Sequence, residues 1–554
     1  MSSPPEQATT GDEKPIPAGQ GLASAAILMV VLTFAARIAG MVRMMVVGSA
    51  FGAGGDINSF FAAFTIPDLI YFLIAGGAAR TAFVPVFTEY LAHGRRREAW
   101  RVFSTVFWLL LILGGVVVIG GSLFAPQVAR LSALGWLGSA PERVDVCARI
   151  MRIIFPAQLF LVLGSLLMGT LNAHKHFLWP ALGPLVYDIV FIIGALIGGT
   201  LPESEGLMVM AWGSVVGALL GSVVIQIPPL AARGAKLLPV FDLKDEGVRR
   251  TIRLALPVIL GLAVAEINWV VVRILATMCQ ENAPAVLEYA NRLWKLPSGV
   301  FAAGIAIAVF PTLSEHYARG DVKSYRRDFS FAMRNTLFLV LPVTVAFATL
   351  STPIVRMLFQ RGSFDPSTSP LVGTVVLWLS PGMISLGISY IAARAFYARQ
   401  NTVTPVVCGV ISIFACLGLG YWATQTTGVV GLAMATSATA VLNAALLIVL
   451  LKREVGQLDG GRIARSLLRI LPGTVALGVI CWAGSAWLTG RLGTESELAK
   501  LLTVMAPVTV GTVVYVVSCA LLHAEELKSA WRIIARKRPE TVAKIEAEEA
   551  LDDQ

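Results

Sequence analysis

The chain has 554 residues, 56% of them hydrophobic and 14% charged, with 44 basic against 34 acidic residues and a formal net charge of +10. A mean hydropathy of +0.74 excludes a soluble globular domain and points to an all-α integral membrane protein. The basic excess would suggest nucleic acid in a soluble protein, but here it falls in short loops between apolar runs, where it reads as a topology signal facing anionic lipid.

In chain order, residues 1–22 are polar and proline-rich without a basic start, which predicts a disordered cytoplasmic tail and no cleaved signal peptide. Apolar runs of about 20 residues, the length that crosses the hydrocarbon core, follow at 24–48, 58–77, 101–124, 148–171, 177–199 and 207–230. They resume at 254–278, 289–311, 332–350, 371–397, 403–423, 428–451, 467–489 and 501–522, about fourteen in all. This predicts a six-helix lobe over 23–235, a cytoplasmic linker over 236–253, a second six-helix lobe over 254–455, two further helices within 456–523, and a charged cytoplasmic tail over 524–554. Loops 93–101, 231–253, 315–327 and 451–469 are rich in Lys and Arg and alternate with loops that have few or none, which places the rich loops and both termini in the cytoplasm. Glycines at 194 and 198, and at 213, 217 and 221, have the small-xxx-small spacing of close helix packing. The six cysteines lie in or beside apolar segments without CxxC spacing and read as small buried hydrophobes.

Residues 82–104, AFVPVFTEYLAHGRRREAWRVFS, match 308–330, AVFPTLSEHYARGDVKSYRRDFS. Pro85 aligns with Pro311, Glu89 with Glu315, Gly94 with Gly320 and Arg101 with Arg327, at a constant offset of 226 (311 minus 85). Six spans intervene, an even number, so the copies face the same way. That is the mark of parallel repeats about an axis along the membrane normal, with the substrate site expected at mid-depth between them.

Few charges fall at membrane depth: Arg37, Arg43, Asp68, Asp188, Glu266, Arg273, Arg292 and Arg394, with Arg80, Glu288 and Lys295 near span ends. Snorkelling or internal pairing is the plain reading for most. Glu266 and Arg273, seven apart on one helical face, are expected to pair directly or through water. Arg37 and Arg43 have no acid within their own span, and a guanidinium at the centre of a bilayer helix costs roughly 2.5–3.5 kcal/mol. Six residues set them about 120° and about 9 Å apart, so their helix must show a broad polar face to a cavity. With Arg292 from the second lobe they form an expected site for an anion, and guanidinium forks suit the oxygens of a diphosphate.

The segments RIAGMVRMMVVGSAFGAG (37–54), AGGAARTAFVPVFTEY (75–90), LALPVILGLAVAEIN (254–268), YANRLWKLPSGVFAAGIAIAVFPTLSEH (289–316), LFQRGSFD (358–365) and FYARQNTVTP (396–405), taken in order, resemble the MurJ (MviN) family. These are bacterial lipid II flippases of the multidrug/oligosaccharidyl-lipid/polysaccharide exporter superfamily. The resemblance runs from about residue 22 to 522. It implies an alternating-access flippase in the bacterial cytoplasmic membrane. The substrate it implies is undecaprenyl-diphosphate-linked disaccharide-pentapeptide, moved from the inner to the outer leaflet for cell-wall assembly, with the cell-wall synthesis machinery as a candidate partner. Arg37, Arg43 and Arg292 stand where the family's cavity arginines stand. The chain departs from the family's pattern where an acidic residue gives way to Asn58, an arginine to Tyr71, a glutamate to Gly76 and an acidic residue to Asn291. Arg80 replaces a small polar residue, a turn or more from Tyr71, where it can restore the missing positive charge. The expected substrate-binding set is therefore Arg37, Arg43, Arg292, Arg80, Asn58, Asn291 and Tyr71.

Two other classes stay open: a flippase for a different polyprenyl-linked glycan (Wzx-like) or a drug or ion antiporter of the same fold, and a paralogue that binds lipid without moving it. An enzyme is the least attractive class, since GxxxxGK[ST], HExxH and GxSxG are all absent. His174 and His176 in AHKHF lack a third ligand and read as a basic loop. With no cofactor and no nucleotide site, the expected energy source is the membrane potential or a cation gradient, and Asp188 and Glu266 are the acids expected to couple a cation.

Overall fold

The computed structural model describes residues 18–527, apart from the side chains of 18–30, 33, 76–81, 257, 258, 260, 262, 265, 298 and 300. The 528–554 part of the predicted charged tail, and residues 1–17, lie outside the described residues. The first helix, α1 (Ala18–Phe51), begins inside the segment read as a tail and ends at Gly52, whose φ of +67° is open to glycine without strain. The first lobe continues with α2 (Ile57–Ala63), α3 (Thr65–Tyr71), a π-helical stretch (Phe72–Phe83), α4 (Val84–Ala92), α5 (Arg96–Leu123), α6 (Ala125–Ser132) and α7 (Pro141–Ala173). It is completed by α8 (Leu178–Gly198), α9 (Glu203–Ala218) and α10 (Ile227–Ala231).

The second lobe holds α11 (Glu246–Ala276), α12 (Ala283–Pro297), a π-helical turn (Ser298–Ala302), α13 (Ala303–Ala318), α14 (Val322–Thr349) and α15 (Ser351–Phe359). After them come α16 (Thr368–Ala398), α17 (Val403–Thr426) and α18 (Gly428–Val455). The final pair is α19 (Gly460–Leu492) and α20 (Glu497–Leu521). Among the described residues, twelve helical stretches are long and apolar enough to cross a membrane. Two more helical runs, α11 and α12 through α13, stand where the seventh and eighth spans were predicted. The short helices α6 and α15 occupy segments that the sequence left as loops.

The repeat is built into the backbone. Two of the three π-helical stretches among the described residues begin at Phe72 and Ser298, again 226 apart, and the helices that follow them end at Gly94 and Gly320 with φ of +73° and +69°. A π-helical turn shifts the register of a helix and is frequent at functional sites. Here the two lie at corresponding points of the two lobes.

Each lobe has its own core: Phe87, Phe103 and Leu166 belong to the first, Phe329, Phe396 and Leu447 to the second. A further cluster, including Phe60, Ile154, Tyr289 and Phe359, joins the lobes. Phe414, Leu468 and Trp482 are 66–70% exposed, a surface that lipid tolerates and water does not. In the first lobe α8 approaches α9, and the π-helical turn Leu219–Val223 that follows α9, closely through glycines. A methyl at Gly194 would lie 2.9 Å from Gly213 Cα, and one at Gly221 would lie 2.5 Å from the Gly183 carbonyl. The α19–α20 pair packs on α14 through Tyr515, whose hydroxyl donates to Phe338 O at 2.8 Å.

Among the described residues, the hydrogen bonds between the lobes concentrate at the end poor in basic loops. Asn58 Oδ1 accepts from Ala285 N at 2.9 Å, Tyr289 Oη donates to Gly52 O at 2.7 Å, and Ser363 N donates to Ser49 O at 2.8 Å. Gly135 N donates to Thr277 Oγ1 at 3.1 Å, and Arg143 pairs with Glu281. Toward the basic end, Arg37 Nη2 donates to Gly299 O at 3.1 Å, and Arg250 at the start of α11 pairs with Glu89 at 2.8 Å.

Candidate functional site

Between the lobes lies a cavity of about 520 Å³. The first lobe supplies α1, α2, α3, α7 and α8, and the second α11 and α12. Aromatic faces of Phe60, Phe64, Tyr187, Phe191 and Trp269 form much of the wall, and seven charged side chains break it: Arg43, Asp68, Glu266, Arg273, Glu288, Arg292 and Lys295.

The charges sort into two clusters. In the first, Arg43 of α1 points at α8, where its Nε lies 3.2 Å from Asp188 Oδ1. Its guanidinium also lies over Phe191 at 4.9 Å and Tyr187 at 5.5 Å from the ring centres, a cation–π cradle that fixes its plane. Arg292 of α12 reaches in from the other lobe. A methyl at Gly40 would lie 3.6 Å from Asp188 Oδ2 and 4.0 Å from Arg292 Nη2, so carboxylate and guanidinium both approach one point on α1. Among the described residues Arg292 makes no hydrogen bond or ion pair.

The second cluster centres on Arg273 of α11. Its Nε donates to Glu288 Oε1 of α12 at 2.6 Å and its Nη1 to Asp68 Oδ2 of α3 at 3.2 Å. Glu288 belongs to the same lobe as Arg273 and Asp68 to the other, so this guanidinium ties the lobes together. Lys295 stands over the Trp269 ring at 4.6 Å.

These placements revise several expectations. Arg273 pairs with Asp68 and Glu288 and not with Glu266, because seven residues are about 10.5 Å along a helix and out of direct reach. Glu266 lines the cavity and makes no hydrogen bond or ion pair among the described residues. Arg43 is not free of carboxylate, since Asp188 neutralises it from another helix. Arg37 is exposed, does not line the cavity, and is spent on the Gly299 carbonyl. Asn58 is buried and off the cavity wall. Its amide donates to Ala53 O and Gly55 O, both at 3.1 Å, so all its capacity goes to backbone at the lobe junction. Tyr71 and Asn291 do line the cavity, and Asn291, 8% exposed, has an Oδ1 with no hydrogen-bond partner among the described residues. The side chains of Arg80 and Gly76 lie outside the described residues. His174 is stacked on Trp100 at 5.9 Å, and burial together with the nearby Arg233 holds His176 below the usual imidazole range. The sequence reading missed Trp269, Tyr187 and Phe191 as cavity walls, since aromatic residues in apolar spans carry no mark of which way they face.

Comparison with known proteins follows the same lines. Residues 47–503 match the family model described as "Lipid II flippase MurJ". A probable lipid II flippase MurJ from Vibrio cholerae is 30% identical over 77% of this chain and 82% of its own length. The lipid II flippase MurJ of Burkholderia cenocepacia is 27% identical over 81% and 88%. Among solved structures, a lipid II flippase MurJ in an inward closed conformation superposes with a TM-score of 0.73 at 22% identity, covering 90% of this chain and 99% of its own. An inward-facing multidrug resistance MATE family transporter of the MOP superfamily gives 0.65 at 16% identity, covering 78% and 99%. The two superpositions show the fold.

Proposed function

This chain belongs to the lipid II flippase MurJ family, and from that membership we propose that it carries lipid II across the bacterial cytoplasmic membrane, from inner to outer leaflet, by alternating access. The observation that carries the reading is that Arg43 and Arg292, from different lobes, line one cavity.

The basic loops and both termini face the cytoplasm in this reading, and the end sealed by Asn58, Tyr289 and the 363–49 backbone bond faces outward. A diphosphate headgroup entering from the cytoplasm meets one guanidinium from each lobe. It supplies the negative charge that two approaching cations need, so its arrival favours the lobes closing behind it. Opening on the far side then requires Asp68 to leave Arg273, while Glu288 keeps Arg273 within its own lobe. The prenyl chain stays in lipid throughout. No cofactor takes part. Outward movement of an anion is favoured by the membrane potential, about 2.3 kcal/mol per charge per 100 mV, and Asp188 and Glu266 are the acids to test for a coupled cation.

Complementation of a flippase-depleted strain tests this reading. Arg43→Ala and Arg292→Ala, each expressed and membrane-inserted, are expected to fail, and normal growth from either overturns it. A cargo with a different glycan on the same prenyl diphosphate is favoured by one observation: Tyr71 and Asn291, where the family carries charge, sit on the cavity wall. Larger thermal stabilisation by another prenyl-linked glycan than by lipid II decides for that cargo.

A further inference from the structure

The arginine that α1 contributes to the cavity is already occupied. Asp188 Oδ1 lies 3.2 Å from Arg43 Nε, an ion pair outside hydrogen-bonding geometry, and its other oxygen approaches the point on Gly40 that Arg292 Nη2 also approaches. The carboxylate is 7% exposed as a residue, on a helix whose neighbouring side chains, Tyr187 and Phe191, form the cradle of the same arginine. A carboxylate offers a guanidinium two oxygens with the same spacing and charge-assisted geometry as two oxygens of a phosphate. We infer that Asp188 is a built-in competitor of the substrate: it takes the diphosphate's place on Arg43 when the cavity is empty, and must be displaced before a diphosphate engages Arg43 and Arg292 together.

Such a residue does two things for a transporter. While the site is empty it keeps Arg43 paired and oriented, which an unpartnered guanidinium at that depth does not achieve alone. After transport it reclaims Arg43 and drives the anion off, so that binding tight enough for capture does not become binding too tight for release. Asp188 is thus a positioning residue that sets affinity and release. The inference rests on the flippase reading above and adds to it how the site empties.

The test uses the full-length protein purified in nanodiscs, with farnesyl diphosphate and undecaprenyl diphosphate as probes and a leaflet-accessibility assay for turnover. Asp188→Asn is expected to bind both probes at least about ten-fold tighter, the order of coupling between close charge pairs, while turnover falls, and Asp188→Glu is expected to restore the unmodified affinity. Binding that is unchanged or weaker in folded Asp188→Asn overturns the inference. A second measurement needs no variant: carbodiimide modification of Asp188 in the unmodified protein, read by peptide mass spectrometry. It is expected to rise several-fold when farnesyl diphosphate frees the carboxyl from Arg43, and an unchanged or reduced rate overturns the inference. If the unmodified protein binds neither probe, the flippase reading falls together with this one; if it binds both and Asp188→Asn is no tighter, only this one falls.

Discussion

The cavity contains two charge clusters made of the same parts in opposite proportion. Arg43, Asp188 and Arg292 set two guanidinium groups against one carboxylate, whereas Asp68, Arg273 and Glu288 set two carboxylates against one guanidinium, with Glu266 and Lys295 beside them on the wall as one further charge of each sign. In the second cluster Arg273 is satisfied on both sides, and the surplus negative charge repels an incoming anion. In the first, Arg292 is left over and attracts one. The difference teaches how to separate the arginine that binds from the arginine that fastens, when burial and residue type are alike: the ratio of carboxylates within reach decides.

The largest effect that would break this contrast is expected at Arg273. Arg273→Ala leaves Asp68 and Glu288, half-buried on the cavity wall, without their shared cation, a loss that approaches the roughly 3–5 kcal/mol of a fully buried pair. The check is thermal unfolding of purified protein, and a loss under 1 kcal/mol contradicts the fastening role. Arg292→Ala, which strands no carboxylate, is expected to unfold near the unmodified midpoint and to lose lipid II flipping in proteoliposomes; Arg43→Ala is expected to lose flipping as well, with a part of the stability cost because Asp188 is left without its cation. The two clusters are then told apart by stability against transport.

A finer test is Asp68→Asn. It weakens the bond between the lobes while Glu288 still holds Arg273, so the population should shift toward the state open at the outer end by about 1–3 kcal/mol, the cost of a hydrogen bond to a charged group. A cysteine placed at Ser59 should then react faster with a membrane-impermeant maleimide, by roughly five- to a hundred-fold for that shift. The smallest effect is expected at Tyr289→Phe, which removes only the hydroxyl bond to Gly52 O, about 0.5–1.5 kcal/mol, and should raise the same labelling modestly.

Much of the fold was legible in the sequence because a bilayer constrains it so strongly: span lengths, basic loops and the 226-residue repeat all follow from apolar runs and local motifs. The repeat was even legible to the turn, since Gly94 and Gly320 mark equivalent helix ends. Arg43 and Arg292 stood out because a cation at membrane depth needs a reason. Their partners did not, because ion pairing across a bundle is set by packing and leaves no local trace. Asp188 is 145 positions from Arg43 (188 minus 43), and Asp68 is 205 from Arg273. The same limit misplaced Arg37. A broad polar face was inferred for α1, but the 120° between the two arginines turns one toward the cavity and the other toward the Gly299 carbonyl.

The central claim is that one anion is gripped by both lobes at once. A double-mutant cycle on lipid II binding, using Arg43→Gln, Arg292→Gln and the pair in folded nanodisc-embedded protein, tests it most directly. The account predicts a coupling energy of about 1.5 kcal/mol or more between the two sites, with the double variant little worse than either single. Strictly additive losses would mean that the two arginines act on separate groups, and would contradict it.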